Sequence, residues 1–304
     1  MKIRHEKEGI HYYDRRNGSH ILVDEVRPQL QDLSIGPRTI SIAITDDCDI
    51  NCDHCHVQKG KTYLPSALIE GLCKDFDDAG TLDVALGGGE PTLHPDLIQM
   101  CRSIWENTSL GVSITTHGHR LNSTVIDSLK DYISILRISV DGIEPTYSRM
   151  RKRKLAKLSD VIAYLKGRIR FGINVVINSE TIRQLDDISR LSRNWGAHEM
   201  LLLPIIVNGQ GALTDAEWTY LDGWIKHNFG ILRLRIPSVA RKMLTCPSLF
   251  ESDEWYDDYA YIAPDLTYRN DSFQKSGYKI ADYASIHDLL VAWRRDMAAG
   301  GGGL

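Results

Sequence analysis

Residues 48–55 read CDINCDHC, three cysteines at C-x3-C-x2-C spacing in a loop of Asp and Asn. The loop follows directly on the apolar run Ile40-Ser41-Ile42-Ala43-Ile44. Thiolates are soft ligands that select zinc or iron–sulfur clusters over hard cations. A structural zinc site closes its tetrahedron with four protein ligands, and an electron-transfer [4Fe–4S] cluster takes four cysteines. Cys48, Cys52 and Cys55 supply three, and no second cysteine pair follows. An incomplete set points to a cluster with one iron open to a small molecule, by the logic that leaves a catalytic zinc one vacant position. Two other readings stay open: a zinc loop completed by His54 or His56, and three unrelated buried cysteines.

One strand–helix unit later stands Gly87-Gly88-Gly89-Glu90-Pro91. A lone glycine run would mark only a turn. With the cysteine triplet after a first strand, Gly88-Gly89-Glu90-Pro91 at this distance resembles the radical S-adenosylmethionine (radical SAM) enzymes, because two independent motifs must otherwise coincide. The resemblance covers residues 39–205 well and the flanks poorly. It implies one [4Fe–4S] cluster on Cys48, Cys52 and Cys55, with SAM chelating the fourth iron. One-electron cleavage of SAM would then yield a 5′-deoxyadenosyl radical that abstracts hydrogen from a substrate. It also places His54 near the adenine, lets the backbone at Gly88 and Gly89 approach SAM closely, and makes Glu90 an acceptor for the methionine ammonium.

From residue 39 the chain alternates strand and helix. Strands are expected at 39–45, 81–86, 111–116, 135–140, 171–177 and 199–203. Helices are expected near 65–78, 95–105, 122–132, 158–166, 181–195 and 215–229. The fifth helix carries Ile182, Leu185, Ile188, Leu191 and Trp195 at helical spacing, and the sixth opens with the capping box Thr214-x-x-Glu217. Such alternation implies an α/β fold with a parallel sheet and right-handed crossovers. The six units resemble the partial (β/α)6 TIM-type barrel of radical SAM enzymes, in which reactive residues gather at the strand ends. Upstream, residues 12–23 read as a β-hairpin around Asn17-Gly18, expected to cover the barrel's N-terminal end or an exposed edge. The expected organisation is an N-terminal hairpin extension (1–37), the barrel (38–230), a small α+β extension (231–298) and a flexible glycine tail (299–304).

The chain has 304 residues, 42% hydrophobic, enough to bury a full core in one large domain plus an appendage. A net charge of −4 gives no global basic field that would argue for nucleic acid. No apolar stretch approaches the ~20 residues that cross a bilayer, and MKIRHEKEG is not a signal peptide. Six cysteines, three clustered and three scattered, read as a reduced, cytoplasmic metal protein and not as a disulfide framework.

Further site candidates follow the strands. Arg137-Ile138-Ser139-Val140-Asp141-Gly142 resembles the S-x-D-G of peptide-modifying and molybdopterin-type members, which brings Ser139 and Asp141 to the SAM ribose or carboxylate. Arg151 or Arg153 would pair with the SAM carboxylate, since a planar fork suits it. The run RMRKRKLAK at 149–157 reads equally as a solvated face or a grip on an acidic substrate. His117, where relatives have Asn, would be a substrate-facing imidazole or a hydrogen-bonding spacer. Asn174 would face the adenosyl group. Cys73 and Cys101 read as buried core thiols. Thr245-Cys246-Pro247 resembles the opening of a "SPASM" or "twitch" extension, yet no further cysteines follow, so the tail reads as a cluster-free version. Cys246 would be a buried thiol, or a hydrogen donor as in the family's peptide epimerases. The implied substrate is a ribosomally made peptide, crosslinked or epimerised, with a small molecule of cofactor, sugar or antibiotic biosynthesis as the alternative. A flavodoxin or ferredoxin would supply the electron. The reading from another class is a non-catalytic Fe–S or zinc binding protein.

Overall fold

The computed structural model describes residues 1–304 apart from 56, 208–209, 238–239, 241–242, 246–257, 275 and 300–304. The chain opens with β1 (Lys2–Glu6), β2 (Gly9–Asp14) and β3 (Ser19–Val23), a separate antiparallel sheet. Then β4 (Thr39–Thr45), α1 (Ser66–Asp78), β5 (Asp83–Gly88), α2 (Leu97–Asn107), β6 (Gly111–Thr116) and α3 (Ser123–Leu129) follow. Next come β7 (Ile135–Ser139), α4 (Thr146–Arg151), α5 (Ala156–Leu165), β8 (Phe171–Ile177), α6 (Leu185–Trp195) and β9 (Glu199–Pro204). Strands β4 to β9 lie side by side in sequence order, all parallel. This is the expected α/β architecture, and the six strands and six of the helices fall within a few residues of their expected bounds.

The last part of the chain forms the two-residue strands β10 (Ile206–Val207) and β11 (Gln210–Gly211), then α7 (Asp215–Asn228), β12 (Arg233–Arg235), β13 (Tyr259–Ile262), β14 (Thr267–Arg269), β15 (Tyr278–Lys279) and α8 (Ile286–Ala298). It extends the large sheet at both ends: β12 pairs in parallel with β9, and β13 with β4, followed by β14 and β15. The barrel is therefore open, its first strand bonded to β13 and not to β9. On α8, Trp293 is fully buried, stands edge-on to Tyr268 at 5.2 Å and donates from Nε1 to Asn270 Oδ1 at 2.6 Å. Tyr268 in turn stacks on Phe76 of α1 at 6.3 Å, which ties the tail to the barrel wall.

Alternation along the strands sorts side chains between two faces. Ile40, Ile42, Val84, Leu86, Ile114 and Ile138 are fully buried in the core under the helices. The alternate positions are small or polar: Ser41, Ala43, Ala85, Gly87, Ser113, Ser139 and Asn174. A closed TIM barrel fills its interior with bulky branched residues; this lumen is lined to leave space instead. Lower down it is plugged by charge, where Arg137 Nη1 meets Glu199 Oε1 across the side-chain-free Gly172.

Of the two places expected for the hairpin, it takes the N-terminal end of the strands. Tyr13 Oη donates to Asp83 Oδ2 at 3.2 Å, and Arg15 Nη1 donates to Thr108 O at 2.7 Å with its guanidinium 4.0 Å over Trp105. Strand β1 had no sequence signal because its pattern is inverted: Ile3 is exposed while Lys2, Arg4 and Glu6 are buried. Buried charges persist only when paired, and these are. Arg4 donates to Gly36 O, Gly80 O and Glu6, Arg38 donates to Glu6 at 2.7 Å, and Lys2 bonds Asp77. No described helix is long and apolar enough to cross a membrane.

Candidate active site

The cysteine loop leaves the C-terminal end of β4, and the glycine motif leaves β5 beside it. Gly89 N donates to Thr45 O at 2.8 Å and Glu90 N to Asp47 O at 2.7 Å. A Cβ on Gly88 would stand 2.1 Å from Thr45 O, and one on Gly89 2.1 Å from Asp47 O. Gly88 also has φ +117°, a conformation that side-chain-bearing residues rarely adopt. The glycines thus admit the backbone that carries the loop towards Cys48. That contact links the two motifs physically, so one does not hold its position without the other. The loop's return is pinned as well: Thr62 N donates to Asp46 Oδ1 at 2.7 Å, and Asp47 takes Lys61 at 2.7 Å and the Tyr63 hydroxyl.

Glu90 is almost fully buried. Its Oε1 accepts from Thr92 N at 3.1 Å, Thr92 Oγ1 at 2.5 Å and Thr116 Oγ1 at 2.6 Å; its Oε2 accepts from His117 N at 2.9 Å. A carboxylate offers about four lone-pair sites, so the chain itself already engages Glu90, and a ligand ammonium would have to replace one of these donors. His117 is also turned inward. Its Nδ1 accepts from His119 N at 3.0 Å, which leaves Nε2 as the donor to Asp49 Oδ1 at 2.9 Å. Both ring nitrogens are engaged, the geometry of a hydrogen-bonding spacer.

At the end of β7, Asp141 is fully buried. Its Oδ1 accepts from Val176 N at 2.8 Å, and its Oδ2 faces His54 Nε2 at 2.9 Å and the Arg151 guanidinium. Burial pushes this carboxyl up, but Arg151, His54 and the Val176 amide together hold it below the usual carboxylate range. Arg151 Nη1 reaches Cys52 Sγ at 3.8 Å, so one guanidinium bridges a carboxylate and a loop thiol. Burial raises the Cys48 and Cys52 thiols above their ordinary value, a cost to the thiolate that Arg151 offsets in part at Cys52. Cys48 and Cys52 are half-buried and Cys55 exposed, all three as free thiols. Ser139 and Asn174 are register partners on β7 and β8, both buried.

Several polar atoms here are buried without a hydrogen-bond partner: His54 Nδ1, Arg151 Nε and Asn174 Oδ1. Native interiors leave few such groups, and each one calls for an explanation. Orphaned polar atoms beside a loop of three soft ligands and above an open, small-residue lumen fit a cluster with a polar organic partner. Cys73 and Cys101 lie fully buried under α1 and α2 as expected, their thiols pushed up by burial. Cys246 and His56 lie outside the described residues. Reading the sequence alone missed Asp49, Arg120, His119 and Tyr147. Asp49 sits inside the cysteine motif next to Cys48, and that adjacency was the available signal.

An open parallel βα barrel with three loop thiols at its C-terminal mouth is the architecture of an enzyme built around an iron–sulfur cluster and an organic cofactor. Residues 42–191, about half of the chain, match the family described as the Radical SAM superfamily, and this stretch is a radical SAM domain. The superfamily uses a [4Fe–4S] cluster and SAM. A GTP 3′,8-cyclase of Haemophilus influenzae is 30% identical over 156 residues, 49% of this chain and 46% of that protein. A probable GTP 3′,8-cyclase of Saccharolobus islandicus is 27% identical over 214 residues, 64% of each. The match to the first of these thus spans about half its length. Among solved structures, Streptococcus suis SuiB bound to its precursor peptide SuiA is similar over 99% of this chain and 88% of that one, with a TM-score of 0.72 at 15% identity. anSMEcpe with bound AdoMet is similar over 83% and 77%, with a TM-score of 0.60 at 16% identity. At these identities the likeness is one of fold.

Proposed function

We propose that this chain cleaves SAM reductively and uses the resulting radical to take a hydrogen atom from a ribosomally made peptide. The observation that carries the reaction is the locked pair of loops: the glycine motif clamps the backbone at Thr45 and Asp47, just before the three free thiols, and unpartnered buried polar atoms of His54 and Arg151 lie at that loop. When bound, the cluster and SAM supply one-electron C–S cleavage, chemistry that side chains lack. Cys48, Cys52 and Cys55 hold the cluster. Arg151, fixed by Asp141, keeps positive charge beside Cys52, and its unpartnered Nε would donate to the carboxylate of SAM. His54, oriented by Asp141 through Nε2, would stand by the adenine, and Ser139 and Asn174 would offer polar atoms to the ribose. Glu90 orders Thr92, Thr116 and His117 around the methionine end.

A peptide substrate is supported by the resemblance of the tail to a SPASM extension and by a fold likeness to SuiB that runs through both flanks of the barrel; the S-x-D-G strand suits either substrate class. A small-molecule substrate is the second reading, favoured by the curated relatives named GTP 3′,8-cyclase. The five described cysteines are free thiols, which suits a reducing compartment and a flavodoxin or ferredoxin as electron donor. The test is anaerobic purification, cluster reconstitution, and addition of dithionite and SAM. We expect about four irons per chain, as one [4Fe–4S] cluster requires, and 5′-deoxyadenosine, both lost in Cys52→Ala. A colourless zinc protein that leaves SAM whole sinks the proposal, and consumption of GTP in the same assay would select the second reading.

A further inference from the structure

The basic run at 149–157 is divided by the fold. Helix α4 ends at Arg151, and Lys152 caps it in the left-handed region at φ 55°, where a non-glycine residue is uncommon. That turn sends Arg151 inward to Asp141 and Arg153 elsewhere. Arg153 and Lys157 join Arg120, from the loop after β6, around a cavity of about 470 Å3 that Asp49 and His119 also line. Three cations therefore face one carboxylate, and that carboxylate is already shared. Asp49 Oδ1 accepts from His117 Nε2 at 2.9 Å, while its Oδ2 lies 3.7 Å from Arg120 Nη1 and 3.9 Å from Arg153 Nη2. Arg153 Nη2 also donates to Asp49 O at 3.0 Å. Lys152, next in the run, bonds Asp53 at 2.8 Å. His119 bonds the Tyr147 hydroxyl through Nε2 at 2.8 Å, and its Nδ1 is buried with no partner. Burial, reinforced by His117, Arg153 and Lys157, brings His119 down to about 4, so it adds a polar atom and no charge near neutral pH.

We infer that this cavity is the subsite for an anionic group of the substrate, a carboxylate or a phosphate, and this rests on the reading of the chain as a radical SAM enzyme. Cations clustered without matching carboxylates repel one another unless an anion joins them, and guanidinium forks suit both anions. The cavity borders the cysteine loop: Cys48 Sγ, an Asp49 oxygen and a His117 nitrogen lie within 4.8 Å of one another. An anion held there anchors the substrate at the rim of the barrel, beside the cluster loop and outside the residues assigned to SAM.

The test is calorimetry on the reconstituted full chain with two probes, tripolyphosphate and a hexaglutamate peptide, each with and without saturating SAM. We expect at least one probe to bind in the presence of SAM and to weaken as salt rises. In Arg120→Gln/Lys157→Gln that binding should fall about tenfold or more, the effect of two partly exposed charge contacts, while SAM affinity stays within twofold. Both side chains are solvent-accessible, and Lys157→Gln alone provides a second variant should the double change disturb folding. Binding of tripolyphosphate points to a phosphorylated small molecule; binding of hexaglutamate alone points to an acidic peptide. Binding of neither probe, binding indifferent to both variants, or displacement of the probe by SAM overturns the subsite. If 5′-deoxyadenosine still forms in those cases, the proposed reaction stands without it; if a probe binds but SAM is never cleaved, the reaction is what fails.

Discussion

Replacing Asp141 by Asn isolates what one buried carboxylate contributes beneath the cysteine loop. The side chain is fully buried, and its Oδ2 is the counter-charge of Arg151, whose own side chain is only 13% exposed. Asn keeps the shape, and its Oδ1 still accepts from Val176 N. The loss is the negative charge, which strands a buried guanidinium. Removing one partner of a buried ion pair costs about 3–5 kcal/mol, and the retained hydrogen bond puts this case near about 3. At about 2–4 °C per kcal/mol for a chain of this size class, Tm should fall by about 6–12 °C. Asp141→Asn/Arg151→Met removes the stranded charge as well, so its loss should be smaller than that of the single Asn variant. Both are read by urea unfolding of the anaerobic, metal-free protein without SAM. The pH dependence carries a sign. Asp141 is held below its ordinary value when folded, so its stabilisation is full above about pH 4 and disappears as pH falls through the folded value. The gap between wild type and Asp141→Asn should therefore be widest near neutrality and shrink in acid. A single-variant cost under about 1 kcal/mol, well short of the buried-pair range, or a double variant no better than the single, refutes the account of this pair.

Gly89→Ala should push the glycine loop off Asp47 O, since the added Cβ would lie 2.1 Å from it; we expect iron loading and SAM affinity to drop at least about tenfold with a smaller change in Tm, and normal loading would show that the clamp is dispensable. Glu6→Gln should cost about 3–5 kcal/mol in urea, because Arg4 and Arg38 lose their shared buried anion, while SAM binding at the far end of the barrel stays unchanged. Although burial raises the Glu6 carboxyl, its contacts with His11, Arg4 and Arg38 hold it well below the usual range, so its contribution persists above about pH 4 and is lost only in acid. Stability curves for wild type and Glu6→Gln that run parallel from pH 7 to pH 3 would contradict this. If Cys246 is the hydrogen donor and not a buried thiol, Cys246→Ala should abolish product in an epimerisation assay while 5′-deoxyadenosine continues to form; unchanged product removes the thiol as hydrogen donor.

Local pattern determined the barrel strands, their helices and the two motifs at the strand ends, because period-2 and period-3.6 hydrophobicity and short loop chemistry are properties of neighbours along the chain. The hairpin turn at Asn17-Gly18 was legible for the same reason. Strand β1 was not, since Lys2, Arg4 and Glu6 turn inward only because Asp77, Gly36, Gly80 and Arg38 wait for them across the fold. The glycine motif declared close approach, and only the folded chain showed that what approaches is the backbone of Thr45 and Asp47. The basic run at 149–157 could not be apportioned by composition. A single left-handed residue, Lys152, sends Arg151 to Asp141 and leaves Arg153 and Lys157 beside Arg120. Sequence alone thus located the motifs at the strand ends; which charges face one another was decided by tertiary contacts between residues far apart in the chain, where the energy of a buried charge depends on partners that no local window contains.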